Sequence, residues 1–365
     1  MRSIFDPIRL GQLTLPNRIV MAPLTRNRAG AGLAPGELTV EYYRQRASAG
    51  LIIAEATQIS PMGQGYLDTP GIHSGQQMQA WRKVTDAVHA AGGHIFLQLW
   101  HVGRISHSSL LPGGAAPVSS TDRRPQAMTF TAQGFVEVSP PRALRDDEIS
   151  SLINDYRHAA GNAIEAGFDG VEVHAANNYL LEQFLRDSVN DRTGPYGGSI
   201  ENRARLVVEV LAAVAREIGA DRTGIRLSPM TTFNDTPRDS DPQALYAHLV
   251  DRLTPLGLAY VHMIQGETGG ARTPDDAATP FDYAALQRRF DGCWIVNNGY
   301  TKADAEQAIT GGQADMVAFG RPFISNPDLV RRLREDAPLN ALREDTLYGG
   351  GAEGYTDYPV LPAAG

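Results

Sequence analysis

Gly167-Phe168-Asp169-Gly170-Val171-Glu172-Val173-His174-Ala175-Ala176-Asn177-Asn178-Tyr179 is the stretch around which the chain is organised. Val171 and Val173 lie in a short apolar run after a glycine, the pattern of a buried parallel strand. The run stops at His174, and beyond it the side chains are polar and chemically able. A helical turn from Ala175 onward would put His174 and Asn177, three residues apart, on one face. Tyr179 can approach the same space from another side. Two hydrogen-bond donors and a phenol at one strand end could polarise a substrate carbonyl and deliver a proton to it. The same residues also fit a strand ending in a polar turn, with Tyr179 packing as an ordinary aromatic. The rest of the chain weighs between the two.

Outward from this strand, apolar runs alternate with amphipathic stretches in both directions. Upstream, Arg18-Ile19-Val20-Met21-Ala22 is a short strand ending at Pro23-Leu24-Thr25-Arg26. A helix is expected from Thr39 to Ala49, then the strand Leu51-Ile52-Ile53-Ala54-Glu55-Ala56. Met78 to Ala91 is amphipathic, with Trp81, Val84 and Val88 on one stripe, and leads to the strand His94 to Trp100. From His101 to Leu144 the pattern breaks into Pro, Gly and Ser, with a small hairpin expected over Thr129–Phe130 and Phe135–Val138. A loop of that length is more often functional than idle. Asp146 to Ala166 is helical and returns to the opening stretch.

Downstream, Ser199 caps a helix whose stripe is Leu206, Val207, Val210, Leu211, Val214 and Ile218. The strand Gly224 to Ser228 follows. Asp241-Pro242 then opens a helix by cap-then-proline chemistry. Tyr260 to Ile264 is a strand, Tyr283 to Phe290 a short helix, and Trp294 to Asn297 a strand ending at Asn298-Gly299. Thr301 caps the next helix, with Asp304 in the capping-box place. The last strand, Met316 to Phe319, ends at Gly320-Arg321, and Asn326-Pro327 is expected to open the final helix. Eight strand candidates alternate with helices. This pattern predicts an α/β chain, a single-domain (β/α)8 TIM barrel over residues 1–365 with a long loop and hairpin insertion after the third strand.

Composition narrows the function. The 365 residues carry a formal charge of −8, which disfavours a non-specific nucleic-acid surface. The N-terminus lacks a signal-peptide core, and no apolar run is long enough to span a membrane. The single cysteine, Cys293, cannot form an internal disulfide. These features lead us to expect a soluble cytoplasmic protein, in which the sequon Asn234-Asp235-Thr236 has no meaning. The nine histidines show no metal-ligand spacing, and no metal is expected.

Thr25, Gln98, Trp100, His174, Asn177, Arg226, Gly299 and Arg321 all fall at or just past a strand's carboxyl end, where barrels place their chemistry. Gln98 and Trp100 are two apart on a strand and face the same way. A buried glutamine there must find hydrogen bonds, either from a flat heterocycle with a urea-like edge or from an internal network. Arg226, inside the strand Gly-Ile-Arg-Leu-Ser, requires an anionic partner, supplied by a ligand or by a structural carboxylate. Asn298-Gly299 and Gly320-Arg321 end the seventh and eighth strands, where phosphate sites form from glycine amides, and Arg321 adds a fork of donors. Gly349 to Gly354 formally matches a dinucleotide fingerprint, but it neither follows a strand nor opens a helix. It is read instead as a flexible segment that brings Tyr355 over the barrel mouth.

At this point the motifs resemble the old yellow enzymes, almost end to end. They are Met21-Ala22-Pro23-Leu24-Thr25-Arg26, Tyr42-Tyr43-Arg44-Gln45-Arg46-Ala47, Gln98-Leu99-Trp100-His101, Gly103-Arg104 and His174-x-x-Asn177-x-Tyr179-Leu180. Further along stand Tyr196-Gly197-Gly198-Ser199-x-Glu201-Asn202-Arg203, Phe319-Gly320-Arg321-Pro322 and Gly354-Tyr355-Thr356-Asp357-Tyr358-Pro359. The likeness is to the bacterial branch that includes N-ethylmaleimide reductase and pentaerythritol tetranitrate reductase. Asn178 stands where the family usually has glycine, so its turn calls for a positive φ that asparagine tolerates. Gln265 to Thr279 follows no family pattern.

The resemblance implies a barrel holding FMN non-covalently, reduced by NADPH or NADH, that reduces activated alkenes: α,β-unsaturated carbonyls, maleimides or nitroalkenes. Carried over by residue, Thr25 would bond the flavin O4, Gln98 its pyrimidine edge, and Arg226 the region of N1 and O2. Ala56 and Asn298 would join the cofactor site, and Gly299, Gly320 and Arg321 would hold the phosphate. His174 and Asn177 would bind the substrate oxygen, and Tyr179 would donate the proton. Tyr66, Trp100 and Tyr355 would wall the pocket. A monomer or homodimer is expected. Two rival readings are a flavin-free barrel lyase or isomerase acting on a phosphorylated substrate, and a flavin-binding protein with little turnover.

Overall fold

The computed structural model describes residues 2–272 and 280–362. Eight parallel strands close into one barrel: β1 (Ile19–Met21), β2 (Leu51–Gln58), β3 (Ile95–Trp100), β4 (Gly170–Ala175), β5 (Thr223–Leu227), β6 (Tyr260–Ile264), β7 (Cys293–Asn297) and β8 (Met316–Phe319). Each pairs with its sequence neighbours, and β8 closes on β1 through Phe319 opposite Met21. The eight expected strands are all present.

Side-chain alternation splits each strand between two cores. Val171, Val173, Ile225, Leu227, Val261 and Met263 face outward and pack on the helices. Val20, Ile53, Phe96, Tyr260, Ile295 and Ala318 face inward and fill the barrel's lower half. A hairpin of Ile8–Leu10 and Leu13–Leu15 joins this inner cluster through Leu10 and Leu15, which plugs the amino end. The carboxyl end is left for chemistry.

The helices are α1 (Glu37–Arg44), α2 (Gly75–Ala90), α3 (Asp146–Glu165), α4 (Leu180–Leu185), α5 (Ile200–Ile218), α6 (Pro242–Leu253), α7 (Tyr283–Gln287), α8 (Lys302–Thr310), α9 (Arg321–Ser325) and α10 (Leu329–Glu335). Trp81, Val84 and Val88 of α2 are fully buried, a contribution of about 1.5–3 kcal/mol for each large apolar side chain. Thr301 and Asp304 form the expected capping box on α8, and Ser199 and Asp241 cap α5 and α6. The insertion after β3 carries the expected hairpin, Met128–Thr131 against Gly134–Glu137, with Phe130 opposite Phe135. Among the described residues, no helix is long and apolar enough to cross a membrane.

Helix ends depart from expectation. α1 stops at Arg44 instead of continuing to Ala49, because the next turns bond three residues back, as in Ala47 N to Arg44 O. The fully buried Arg46 guanidinium there donates to the carbonyls of Tyr42, Phe323 and Ile324. The helix expected at Asn326-Pro327 starts at Leu329, since Asn326 spends its amide hydrogens on Pro322 O and Ser325 Oγ at the end of α9.

Candidate active site

His174 ends the inward face of β4, but the chain beyond it is not helical. β4 continues to Ala175, and Asn177 and Asn178 then take φ values of 57° and 61°. The expected helical face is therefore corrected to a left-handed turn. That turn still brings Asn177 Nδ2 within 3.4 Å of His174 Nε2, so both nitrogens can serve one oxygen atom. Asparagine accepts a left-handed φ more readily than most residues, and here its side chain is held from a distant loop. Asn178 donates from Nδ2 to the Phe233 carbonyl and from its backbone to Glu182 Oε2 at 2.7 Å.

The turn is braced from below. Asn177 N donates to Ser228 Oγ at 2.8 Å, which donates to Glu182 Oε2 at 2.9 Å. Glu182 is fully buried, paired with Arg186 at 2.7 Å, and accepts from Tyr246 Oη at 2.6 Å. From the rim, Thr268 Oγ1 donates to Asn177 Oδ1 at 2.7 Å. Thus Gln265 to Arg272 borders the site, whereas Thr273 to Thr279 lie outside the described residues.

Aromatic rings wall the site. Trp100 stands edge-on to Tyr179 with centroids 5.0 Å apart and stacks on Tyr66 at 5.7 Å. His174 meets Tyr179 edge-on at 5.3 Å, and the hydroxyls of Tyr66 and Tyr179 lie 3.2 Å apart. Ala56 packs in the same cluster. Burial, then the nearby Tyr66 phenol, hold Tyr179 well above the ordinary phenol range, while burial pushes Tyr66 up to about 12. Burial, reinforced by Arg226 and His262, keeps His174 neutral.

Below the mouth lies a polar layer. Gln98 Nε2 donates to Glu172 Oε1 at 2.7 Å, and His262 Nδ1 meets Glu172 Oε2 at 2.8 Å. One of the two Gln98 amide hydrogens is therefore already taken, and only the other, with the carbonyl, is available to a ligand. Arg226 donates to Asn297 Oδ1 at 2.8 Å, with the Glu172 carboxylate near enough to favour its charge against burial. Sequence reasoning missed Glu172, Asn297 and His262. Alternation alone could have found Glu172, which shares His174's face two residues earlier.

The remaining candidates divide. The side chains of Thr25 and Arg321 have no hydrogen-bond or ion-pair partner among the described residues, and Gly299, with φ 65°, leaves open space where a Cβ would stand. Gly320 is half-buried beside Leu24. Asn298 is instead spent on the rim: Nδ2 donates to Gln265 O and Glu267 O, both at 2.7 Å. Tyr355 does not reach the aromatic walls. Its buried ring stacks on Tyr42 at 4.2 Å, with Arg26 and Arg28 at 5.0 and 4.5 Å. Nor is the glycine-rich segment free, since Arg26 donates to Leu347 O and Gly354 O. The phenol it brings near Tyr66 and Tyr179 is that of Tyr348, which is 63% exposed. No cluster of three or more metal-ligating side chains occurs among the described residues.

The NADH:flavin oxidoreductase / NADH oxidase family matches residues 3–340 of this chain. The chain is 49% identical over 364 residues to 12-oxophytodienoate reductase 1 of Oryza sativa subsp. japonica, covering 98% of the chain and 93% of that protein. Morphinone reductase in complex with tetrahydroNAD superposes with a TM-score of 0.93 at 46% identity, covering 100% and 99% of the two chains. The old yellow enzyme homologue from Zymomonas mobilis gives 0.94 at 45% identity, covering 99% and 100%.

Proposed function

The chain belongs to the NADH:flavin oxidoreductase / NADH oxidase family, and from that premise we propose how the described residues divide the work of an FMN-dependent ene-reductase. One observation carries the assignment. Trp100 Nε1, His174 Nδ1, Arg226 Nε and His262 Nε2 are buried on consecutive strands β3 to β6, all facing inward and all without a hydrogen-bond partner. Buried polar atoms are seldom left unpaired, so this floor fits a flat ligand with a polar edge.

Gln98 and Arg226 would hold the flavin's pyrimidine edge, with Thr25 and Ala56 beside the ring and Gly299, Gly320 and Arg321 at the phosphate. Arg226 places a positive charge where a reduced flavin gains a negative one. When bound, FMN carries hydride from NADPH or NADH to an activated alkene. His174 and Asn177 bind the substrate's carbonyl or nitro oxygen and stabilise the charge that grows on it, as donors in an oxyanion hole do. A neutral His174 donates without itself losing a proton. Tyr179 gives its phenolic proton to the α-carbon, and Tyr66 and Trp100 keep the substrate flat and dry.

The test is His174→Ala. We expect para-substituted phenols to bind more weakly, because they present an oxygen to the same two donors. Enone reduction should slow by about 10²–10³, the scale of one lost oxyanion donor. Reduction of the flavin by NADPH should suffer less. Unchanged phenol affinity would remove His174 from the substrate site.

A further inference from the structure

Glu172 is a buried carboxylate that the reaction itself does not use. It sits between Val171 and Val173 in the middle of β4, with no exposed surface, and points into the barrel. Gln98 stands opposite it in register on β3, close enough for the 2.7 Å hydrogen bond. His262 comes from β6, two strands away. Between them in register, Gly224 lies beside Glu172 on one side and Tyr260 on the other. A Cβ at Gly224 would lie 2.3 Å from the Tyr260 ring, so glycine makes the room that this ring takes.

An ionised carboxylate has acceptors and no donor. Both of its partners must therefore present an N–H. Gln98 is forced to turn its NH2 toward Glu172 and its carbonyl away. His262, kept neutral by burial, must carry its proton on Nδ1, which leaves Nε2 bare. Without this reference charge a glutamine amide could turn over at almost no steric cost, exchanging an acceptor for a donor. Arg226, opposite His262 in register and held by Asn297, completes the layer.

We propose that Glu172 is a positioning residue that fixes the Gln98 amide, so that its carbonyl and second N–H are both presented to the flavin's pyrimidine edge. It also offsets the charge of Arg226 and so restrains how strongly the reduced, anionic form of the cofactor is favoured. The proposal rests on the reading that Gln98 faces the flavin. Glu172→Gln removes the charge that sets both partners, because the new NH2 can be met by the Gln98 carbonyl once that amide turns over, or by His262 Nδ1 once the proton moves to the bare Nε2. The Gln98 amide is then no longer held in one orientation.

The experiment is a double-mutant cycle on apoprotein, read by quenching of FMN fluorescence and requiring no turnover. Glu172→Gln and Gln98→Ala should each weaken FMN binding about tenfold, the scale of one lost buried hydrogen bond. The double variant should be within about threefold of Gln98→Ala alone, because Glu172 acts through that amide. Midpoint potentials of the FMN-loaded proteins supply a reading that a merely structural role would not move. Removing the carboxylate beside Arg226 should raise the potential, by about 30 mV if the oxidised and reduced affinities diverge tenfold. Additive losses in the cycle, or a potential that does not rise, overturn the proposal. A Gln98→Ala protein that binds FMN like the parent overturns the flavin reading instead. If Glu172→Gln does not fold, Glu172→Asp withdraws the carboxylate by one methylene and must show the same coupling to Gln98→Ala.

Discussion

At the scale of the residue, the proposed reaction turns on the proton of Tyr179. Its burial against Trp100 and Tyr66 favours the uncharged phenol, so the acid is present wherever the protein works. Conjugate reduction separates into hydride to one carbon and proton to the next. Tyr179→Phe should therefore leave flavin reduction by the nicotinamide intact and slow reoxidation by an enone about 10²–10⁴-fold. A nitroalkene should still react at near-parent rate and release free nitronate, an anion that needs no immediate proton. In the parent, the enone step should stay flat through pH 10, where a free tyrosine titrates, because the shift is upward. Equal losses with both substrates would make Tyr179 a positioning group. His174, Asn177 and Tyr179 were legible in sequence as a cluster, since polar side chains interrupt an apolar run. The positive φ of Asn178 was legible too, but that of Asn177 was not, because the turn is braced by Ser228 and Phe233, far along the chain. Glu172 was readable by alternation from His174, but its partners His262 and Gln98 come from other strands.

At the scale of the element, the same division holds. Caps such as Thr301 with Asp304 are local chemistry and were readable, as were the strands. The partners of the glycine-rich C-terminal segment were not, because Arg26 and Leu347 are 321 residues apart. Arg26 is fully buried and donates to Leu347 O at 2.9 Å and Gly354 O at 2.7 Å, while Arg28 reaches Thr346 O at 3.0 Å. These contacts hold the segment that carries Tyr348 beside the mouth. Arg26→Ala would leave the buried Gly354 carbonyl unpaired, at about 1–3 kcal/mol, and the Leu347 carbonyl with only the longer 3.4 Å bond from Arg28. Cleavage at Gly349 to Gly351 in limited proteolysis should then rise by about tenfold for every 1.4 kcal/mol of opening. Arg28→Ala, which is less buried, should raise it less. Equal cleavage of parent and Arg26→Ala would show that the segment is held by something else.

At the scale of the whole molecule, the barrel sorts its interior by height. Apolar side chains fill the lower half, and the carboxyl half carries Gln98, Glu172, Arg226, His262 and Asn297 in hydrogen-bonded array, with unpaired atoms facing one floor. That floor is what an FMN-dependent ene-reductase requires for alkene reduction at the expense of a nicotinamide. That reaction is tested most directly by an anaerobic double-mixing measurement on the purified protein saturated with FMN. NADPH or NADH should bleach the bound flavin's yellow absorption. Cyclohexenone, added without oxygen, should restore it in stoichiometric amount and appear as cyclohexanone. A protein that binds no FMN, or whose bleached flavin stays bleached when the enone is added, would contradict the account.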